Sequence, residues 1–129
     1  MGHGFEGKCA ACGHKTQFRV GGGFFFHLLH CDRCGKERSI AFDKLRDVHE
    51  RYVKGLRGPW TVVTMDRDQE IQENAPIQPL SHDEYHHAIE ELVGKCPCGG
   101  QFSMTAPPRC PRCQSAEITQ VPGLEMFYD

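Results

Sequence analysis

The fold is decided by the stretch CAACGHKTQFRVGGGFFFHLLHCDRCG, which spans residues 9–35. It begins and ends with the same motif, two cysteines separated by two residues and followed by glycine. That spacing turns both sulfurs toward one ion, and glycine avoids a steric conflict with a Cβ atom. Between the motifs, residues 15–20 alternate as a strand does, three glycines allow a turn, and Phe24–His30 is apolar on both faces. The stretch therefore predicts a β-hairpin that carries a metal site and whose apolar return strand is covered on both sides.

Four more cysteines lie near the other end of the sequence, in the motifs CPCGG at residues 96–100 and CPRC at residues 110–113. Grouping neighbours along the chain is the simplest arrangement, because gaps of 18 and 11 residues suit hairpins. An interleaved arrangement would carry ligands across the 61 residues between the second and third motifs. We therefore predict two metal sites, although the cysteines of the CPC motif are separated by one residue instead of the usual two. The first would consist of Cys9, Cys12, Cys31 and Cys34, and the second of Cys96, Cys98, Cys110 and Cys113.

Residues 8–36 and 95–115 resemble zinc ribbons, the rubredoxin-like knuckle class of metal-bound β-hairpins, in cysteine spacing and in the glycine after the knuckle. The resemblance implies structural sites for two Zn²⁺ ions, one for each set of four cysteines, and iron can occupy the same thiolates. It implies no particular function, because ribbons serve many.

Two helices are predicted outside the cysteine motifs. Apolar residues recur at helical spacing over about residues 40–56, a segment that Ser39 can cap and that Gly58 and Pro59 end. A second helix, at about residues 82–93, follows a capping box formed by Ser81 and Glu84.

The remaining segments complete a small α+β protein. Residues 60–65 are rich in β-branched side chains and predict a strand, whereas residues 66–78 are polar and predict a linker. Short strands are expected at residues 101–105 and 116–121, and residues 122–129 can dock without forming an element. The predicted units are 1–58, a ribbon and helix; 59–80, a strand and linker; and 81–129, a helix and the second ribbon.

The cysteine content and the distribution of charge indicate where the protein is located and what it can bind. Eight of the 129 residues are cysteine. Paired cysteines without an apolar N-terminal segment indicate metal ligation in the cytoplasm rather than disulfides. Residues 1–58 hold 11 basic and 6 acidic residues, a net charge of +5, and residues 59–129 hold 4 and 11, a net charge of −7. We interpret this asymmetry as attraction between the halves or as solvated faces, while it leaves a nucleic-acid surface open. No run of 18 apolar residues predicts a membrane span.

Four thiolates fill a tetrahedron and leave no position for a catalytic water. Because the sequence also lacks a phosphate-binding loop and a nucleophile motif, we expect no enzyme and no small-molecule substrate. The leading hypothesis is a structural zinc-binding module that contacts other proteins. The alternatives are a nucleic-acid-binding ribbon, a rubredoxin-like iron electron carrier and a thiol-redox switch. The nucleic-acid alternative would use Lys15, Arg19, Arg33, Lys36 and Arg38.

The eight histidines are expected to be ordinary polar residues. His14 and His30 adjoin cysteine motifs whose four thiolates already complete a coordination sphere. His82 and His86 lie four residues apart on a predicted helix, but no further ligand completes a known zinc pattern there.

Overall fold

The computed structural model of the chain describes residues 2–23, 26–45, 47–55, 65–74, 76–123 and 125–128. These residues form a small α+β protein, as predicted, with two antiparallel sheets and three α-helices. None of the helices in the described ranges is both long and apolar enough to cross a bilayer. The strands are β1 (Gly2–Cys9), β2 (Lys15–Val20), β3 (Phe26–Cys31), β4 (Glu37–Ala41), β5 (Phe102–Ser103), β6 (Ile118–Gln120) and β7 (Met126–Tyr128), and the helices are α1 (Asp47–Gly55), α2 (Met65–Asn74) and α3 (His82–Val93).

The first sheet, called here the outer sheet, joins strands from both ends of the sequence. Its order is β2-β1-β6, and β7 also pairs with β1. The second, the inner sheet, has the order β4-β3-β5 and comes from the middle of the chain. The strand pairings thus cross the predicted units 1–58 and 81–129. Whether those units fold separately stays a prediction.

Each of the first two cysteine motifs lies in the turn of a hairpin. The turn between β1 and β2 carries Cys9 and Cys12, and the turn between β3 and β4 carries Cys31 and Cys34. The hairpin predicted between the motifs is therefore wrong, because β2 and β3 belong to different sheets. The strand β1 was missed because its alternating glycines lack the side chains that mark a strand.

The main apolar core lies between the inner sheet and the helices. It contains Leu29, Cys31, Leu45, Tyr85, Ile89, Cys96 and Phe102, all at most 5% exposed. The expected cover of the apolar strand is confirmed for residues 28–31, which are buried, whereas Phe26 and His27 are half-buried and residues 24 and 25 lie outside the described residues. Helix α3 contributes two of the core residues on one face, as amphipathic spacing requires.

Helix α3 agrees with its sequence signals. Ser81 Oγ accepts a hydrogen bond from the Glu84 N–H at 3.2 Å, and Glu84 Oε1 accepts one from the Ser81 N–H at 3.1 Å. Gly94 ends the helix with φ 82°, a conformation that glycine adopts without strain.

The first predicted helix begins later than expected. Residues 37–41 form β4, Phe42–Leu45 forms a 3₁₀ helix, and α1 starts only at Asp47. Ser39 therefore lies in a strand, opposite Leu28, rather than at a helix cap. The pairing of Ile40 with β3 outweighs the preference for a helix that the apolar spacing indicates, because β-branched residues pack well on a pleated surface.

Two further segments differ from their predictions. Residues 66–74 of the predicted linker belong to α2, which packs on α1 through bonds from Lys54 Nζ to the Gln72 carbonyl and from Gln72 Nε2 to the Val53 carbonyl. The tail forms β7, where the ring of Tyr128 occupies the space that a side chain at Gly2 would need. The strand predicted at residues 60–65 falls outside the described residues except for Met65, where α2 begins.

Candidate metal centres

The structure gathers the eight cysteines into two clusters of four thiols. In each cluster the four sulfur atoms lie within 4.8 Å of one another. Within the described residues these are the only groups of three or more His, Cys, Asp or Glu side chains that converge in this way. The outer cluster consists of Cys9, Cys12, Cys110 and Cys113, and the inner cluster of Cys31, Cys34, Cys96 and Cys98.

The predicted grouping of neighbouring motifs is therefore wrong, and the interleaved alternative is wrong as well. The motifs are nested: the first pairs with the fourth, and the second with the third. Sheet pairing is the physical reason, since Cys9 lies opposite Ile118 in the β1–β6 ladder and Cys31 lies opposite Phe102 in the β3–β5 ladder. Each ladder brings a distant cysteine motif to the turn of a hairpin.

The sulfur spacing fits a tetrahedral ion. The close pairs are Cys9–Cys113, Cys12–Cys110 and Cys31–Cys98 at 3.5 Å, and Cys34–Cys96 at 3.6 Å. Four sulfurs bound to one zinc ion lie about 3.8 Å apart, because the Zn–S bond is about 2.3 Å. A disulfide would instead require about 2.05 Å, and all eight cysteines are free thiols. The two clusters can therefore hold two metal ions.

Backbone N–H groups of the knuckles point at the sulfurs. Arg33 and Cys34 donate to Cys31 Sγ at 3.4 Å, and Arg112 donates to Cys110 Sγ at 3.4 Å. Burial opposes ionisation of Cys31, but the N–H donors and hydrogen bonds with the thiols of Cys98 and Cys34 together outweigh it and lower the pKa of this thiol to about 6. The same balance lowers the pKa of Cys110 to about 7. Backbone N–H groups of Lys36 and Ser115 lower the pKa of Cys34 and Cys113, but burial and hydrogen bonds with neighbouring thiols outweigh them and raise both pKa values to about 12. Metal binding requires the thiolate form, so the N–H contacts favour it at Cys31 and Cys110, whereas a metal ion must displace the protons of Cys34 and Cys113.

The residue after each full knuckle takes a left-handed conformation. Gly13 and Gly35 have φ of 79° and 77°, and their N–H groups donate to the carbonyls of Cys9 and Cys31. The fourth knuckle places Gln114 in the same role, with φ 62° and a bond to the Cys110 carbonyl. The glycine argument from sequence missed this position because no glycine marks it.

The short CPC motif forms half of the inner cluster. The segment that follows this motif in the sequence is joined to the second knuckle by Asp32, whose Oδ1 accepts a hydrogen bond from the Gln101 N–H at 2.9 Å. The Asp32 N–H in turn donates to the Gln101 carbonyl at 2.9 Å. Nothing in the spacing of the cysteines pointed to Asp32, because its partner is 69 residues away.

Gly100→Ala is expected to disrupt the inner cluster. A Cβ atom at Gly100 would lie 2.5 Å from Cys31 Sγ and 2.9 Å from both Asp32 Oδ1 and Arg33 Cβ, so the backbone would have to move. We expect the variant to lose at least half of its bound metal, as measured by elemental analysis. Gly123→Ala is the matched control, because nothing lies within 4 Å of the added atom. Equal metal content in both variants would contradict the close packing at Gly100.

The histidines near the cysteines take no ligand position. His14 contacts the outer cluster through its backbone: its carbonyl accepts a bond from the Cys9 N–H at 2.9 Å, and its backbone also hydrogen-bonds Cys12. His30 is 4% exposed, and its Nε2 lies 3.9 Å from Glu37 Oε1. The ring centroids of His82 and His86 are 4.0 Å apart, but no third ligand from the described residues converges on them.

A separate polar network lies in the core between β3, α1 and α3. The hydroxyl of Tyr85 is 2.7 Å from His27 Nε2 and 3.0 Å from His49 Nδ1. Because one hydroxyl has one proton, it donates to one ring and accepts from the other. Burial chiefly, with charge repulsion from His49 and His86, lowers the pKa of His27 to about 4. This imidazole is therefore neutral in the folded protein at neutral pH.

Acid is expected to destabilise the fold through His27. Between pH 6.5 and 4 the unfolded chain binds a proton at this residue and the folded chain does not, so stability is complete above this window and falls as the pH drops through it. We expect wild type to lose about 2 kcal/mol more than His27→Gln between pH 7.5 and pH 5 in urea unfolding. The cysteine ligands titrate alike in both proteins, so their contribution cancels. Parallel stability curves for the two proteins would contradict this assignment.

Comparison with known proteins gives one match. A family model described as "Domain of unknown function (DUF8255)" matches residues 5–119, a range that includes all eight cysteines. No curated protein and no solved structure matches the chain.

Proposed function

The chain belongs to the family described as Domain of unknown function (DUF8255), and we propose that it is a non-enzymatic module in which two structural zinc ions hold a scaffold for protein–protein contacts. One observation carries this proposal: eight thiols from four distant motifs converge into two groups with tetrahedral spacing. Zinc suits such all-sulfur sites, and four thiolates leave no coordination position for a reacting water.

The positions of the cysteines support a structural role for the ions. Cys9, Cys31, Cys96 and Cys110, two in each cluster, are at most 5% exposed. An ion at either cluster would crosslink segments at least 62 residues apart in sequence. A small chain with few buried side chains gains folding free energy from such links.

Elemental analysis of the purified chain tests the zinc assignment. We expect two zinc ions per chain and loss of folded structure, measured by circular dichroism, when a chelator removes them. Iron in both sites, with a reversible colour change on reduction, would replace the proposal with electron transfer. A folded chain that contains no metal would contradict it outright.

Exposed apolar side chains support a protein partner. Met126 and Phe127 of β7 are 58% and 67% exposed, and Leu92 of α3 is 54% exposed. Phe127 is flanked by His3, with the rings stacked at 5.1 Å. Aromatic residues in exposed positions are enriched where proteins meet.

The basic residues give weaker support to nucleic acid, because two of the five have partners within the chain. Arg19 pairs with Glu37 at 2.8 Å, and Arg38 lies over the Phe102 ring at 5.1 Å. We therefore expect no mobility shift with DNA or RNA at low salt. Tight binding that falls steeply with added salt would favour the nucleic-acid alternative instead.

The partner surface is tested by crosslinking mass spectrometry in the native cells. Phe127→Ser is expected to remove crosslinked protein partners that the exposed control Glu117→Ala retains. Both variants should keep two metal ions, since neither residue is a thiol. Identical crosslinks from both variants would exclude β7 as the contact.

A further inference from the structure

The two clusters divide the described elements into two lobes. The outer lobe contains the outer sheet and the outer cluster, and it is built from both ends of the chain. The inner lobe contains the inner sheet, the helices and the inner cluster, all from residues 26–105. Among the described residues, the contacts between the two lobes include the Arg19–Glu37 pair and the stacked rings of Phe26 and Tyr128.

Apolar burial is very unequal between the lobes. All seven residues of the main core belong to the inner lobe, and two of them, Cys31 and Cys96, are inner-cluster ligands. Among the described residues of the outer lobe, the buried apolar side chains are Phe18 and the two cysteines Cys9 and Cys110. The part of the outer lobe that the structure describes therefore buries too few apolar side chains to hold together without an ion.

Chain connectivity couples the closure of the two clusters. Closing the outer cluster alone joins Cys12 to Cys110, 98 residues away. Once the inner cluster is closed, the path shortens to the 19 steps from Cys12 to Cys31 and the 12 from Cys98 to Cys110. Shortening a loop from 98 to about 31 residues favours closure roughly fivefold through chain entropy alone. The reverse order gains equally, because coupling between two sites is reciprocal.

The cysteine ligands of the outer cluster are also more exposed than those of the inner cluster. Cys12 and Cys113 of the outer cluster are exposed, whereas Cys98 is the one exposed ligand of the inner cluster. A chelator or a competing thiol therefore reaches the outer ion more easily than the inner ion.

From these observations we propose that the two ions bind in order, the inner before the outer, and that loss of the outer ion releases the terminal strands while the inner lobe stays folded. This inference rests on the proposed zinc binding and adds a metal-responsive element to it. At low zinc, β1, β6 and β7 separate from one another. At higher zinc, the outer cluster closes and joins the two ends of the chain.

Hydrogen exchange during stepwise chelation of the zinc-loaded full chain tests the order. We expect peptides of Gly2–Cys9 and Ile118–Gln120 to lose protection with the first ion, while peptides of β3 and α3 stay protected until the second ion leaves. Simultaneous loss of protection in both lobes, or earlier loss in α3, would overturn the inference.

Two variants separate the lobes. Cys113→Ser is expected to bind one zinc ion, with α3 protected and β1 unprotected. Cys98→Ser is expected to weaken zinc binding at the outer cluster at least fivefold in competition with a chromophoric chelator. If Cys98→Ser leaves the zinc affinity of the outer cluster unchanged, the coupling between the two clusters is overturned, but the proposed zinc binding is not. A wild-type chain that binds no zinc would overturn both this inference and the proposed function.

Discussion

Cys31→Ser is expected to leave the inner lobe unfolded and to reduce bound zinc from two ions to at most one ion per chain. Cys31 is fully buried, belongs to the main core, and receives two backbone N–H bonds at 3.4 Å. Structural zinc contributes about 10–16 kcal/mol of apparent binding free energy in small domains. Because whole domains of this size are stable by only about 5–15 kcal/mol, a site that loses one of four thiolates cannot maintain the fold.

The measurement is circular dichroism with elemental analysis on the same sample. Ala11→Ser is the matched control, because it places a serine in an exposed, non-ligand position of the first knuckle. The control should keep two ions and the wild-type spectrum. A Cys31→Ser chain that retains helical signal and two ions would contradict the structural role of the inner cluster.

Ile89→Ala is expected to have the second largest effect, a loss of about 2–5 kcal/mol in the free energy of unfolding. Ile89 is 0% exposed on the buried face of α3, within the core that includes two inner ligands. Truncation removes apolar contacts and leaves a cavity that the surrounding sheet and helices only partly fill.

Leu92→Ala is the control for this substitution, since Leu92 lies on the same helix but is 54% exposed. It should change stability by no more than about 0.5 kcal/mol. Urea unfolding of the zinc-loaded proteins compares the two. Similar losses in both variants would mean that α3 does not bury the face that contains Ile89.

Local signals in the sequence were sufficient for the features that depend on near neighbours. The Ser81–Glu84 capping box predicted the start of α3, and the structure forms both of its hydrogen bonds. The glycines after two knuckles were predicted to relieve steric conflict, and Gly13 and Gly35 adopt the left-handed conformation. The two partners in each of these contacts are only a few residues apart, so the local sequence is enough to predict them.

The grouping of the cysteines depends on distant pairings that spacing cannot reveal. Sequential, interleaved and nested arrangements all use the same four motifs, and chain entropy alone favours the sequential one. The nested arrangement results from two strand ladders, in which Cys9 faces Ile118 and Cys31 faces Phe102. The first ladder uses a strand with three glycines, Gly2, Gly4 and Gly7, which propensity ranks low.

The error over α2 has a similar origin. The segment Met65–Asn74 is polar, and its sequence lacks the apolar stripe that marks a helix packed on a core. The contacts with α1 that its described side chains make include hydrogen bonds through Lys54 and Gln72. A hydrophobic pattern does not detect a helix that docks through backbone and amide hydrogen bonds.

The most direct test of the account is to identify which cysteines share an ion. Substitution with an NMR-active cadmium isotope permits through-bond correlation between each metal and the Hβ protons of its own cysteine ligands. We predict one cadmium signal correlated with Cys9, Cys12, Cys110 and Cys113, and a second correlated with Cys31, Cys34, Cys96 and Cys98. A signal that connects Cys9 and Cys12 with Cys31 and Cys34 would contradict the nested arrangement.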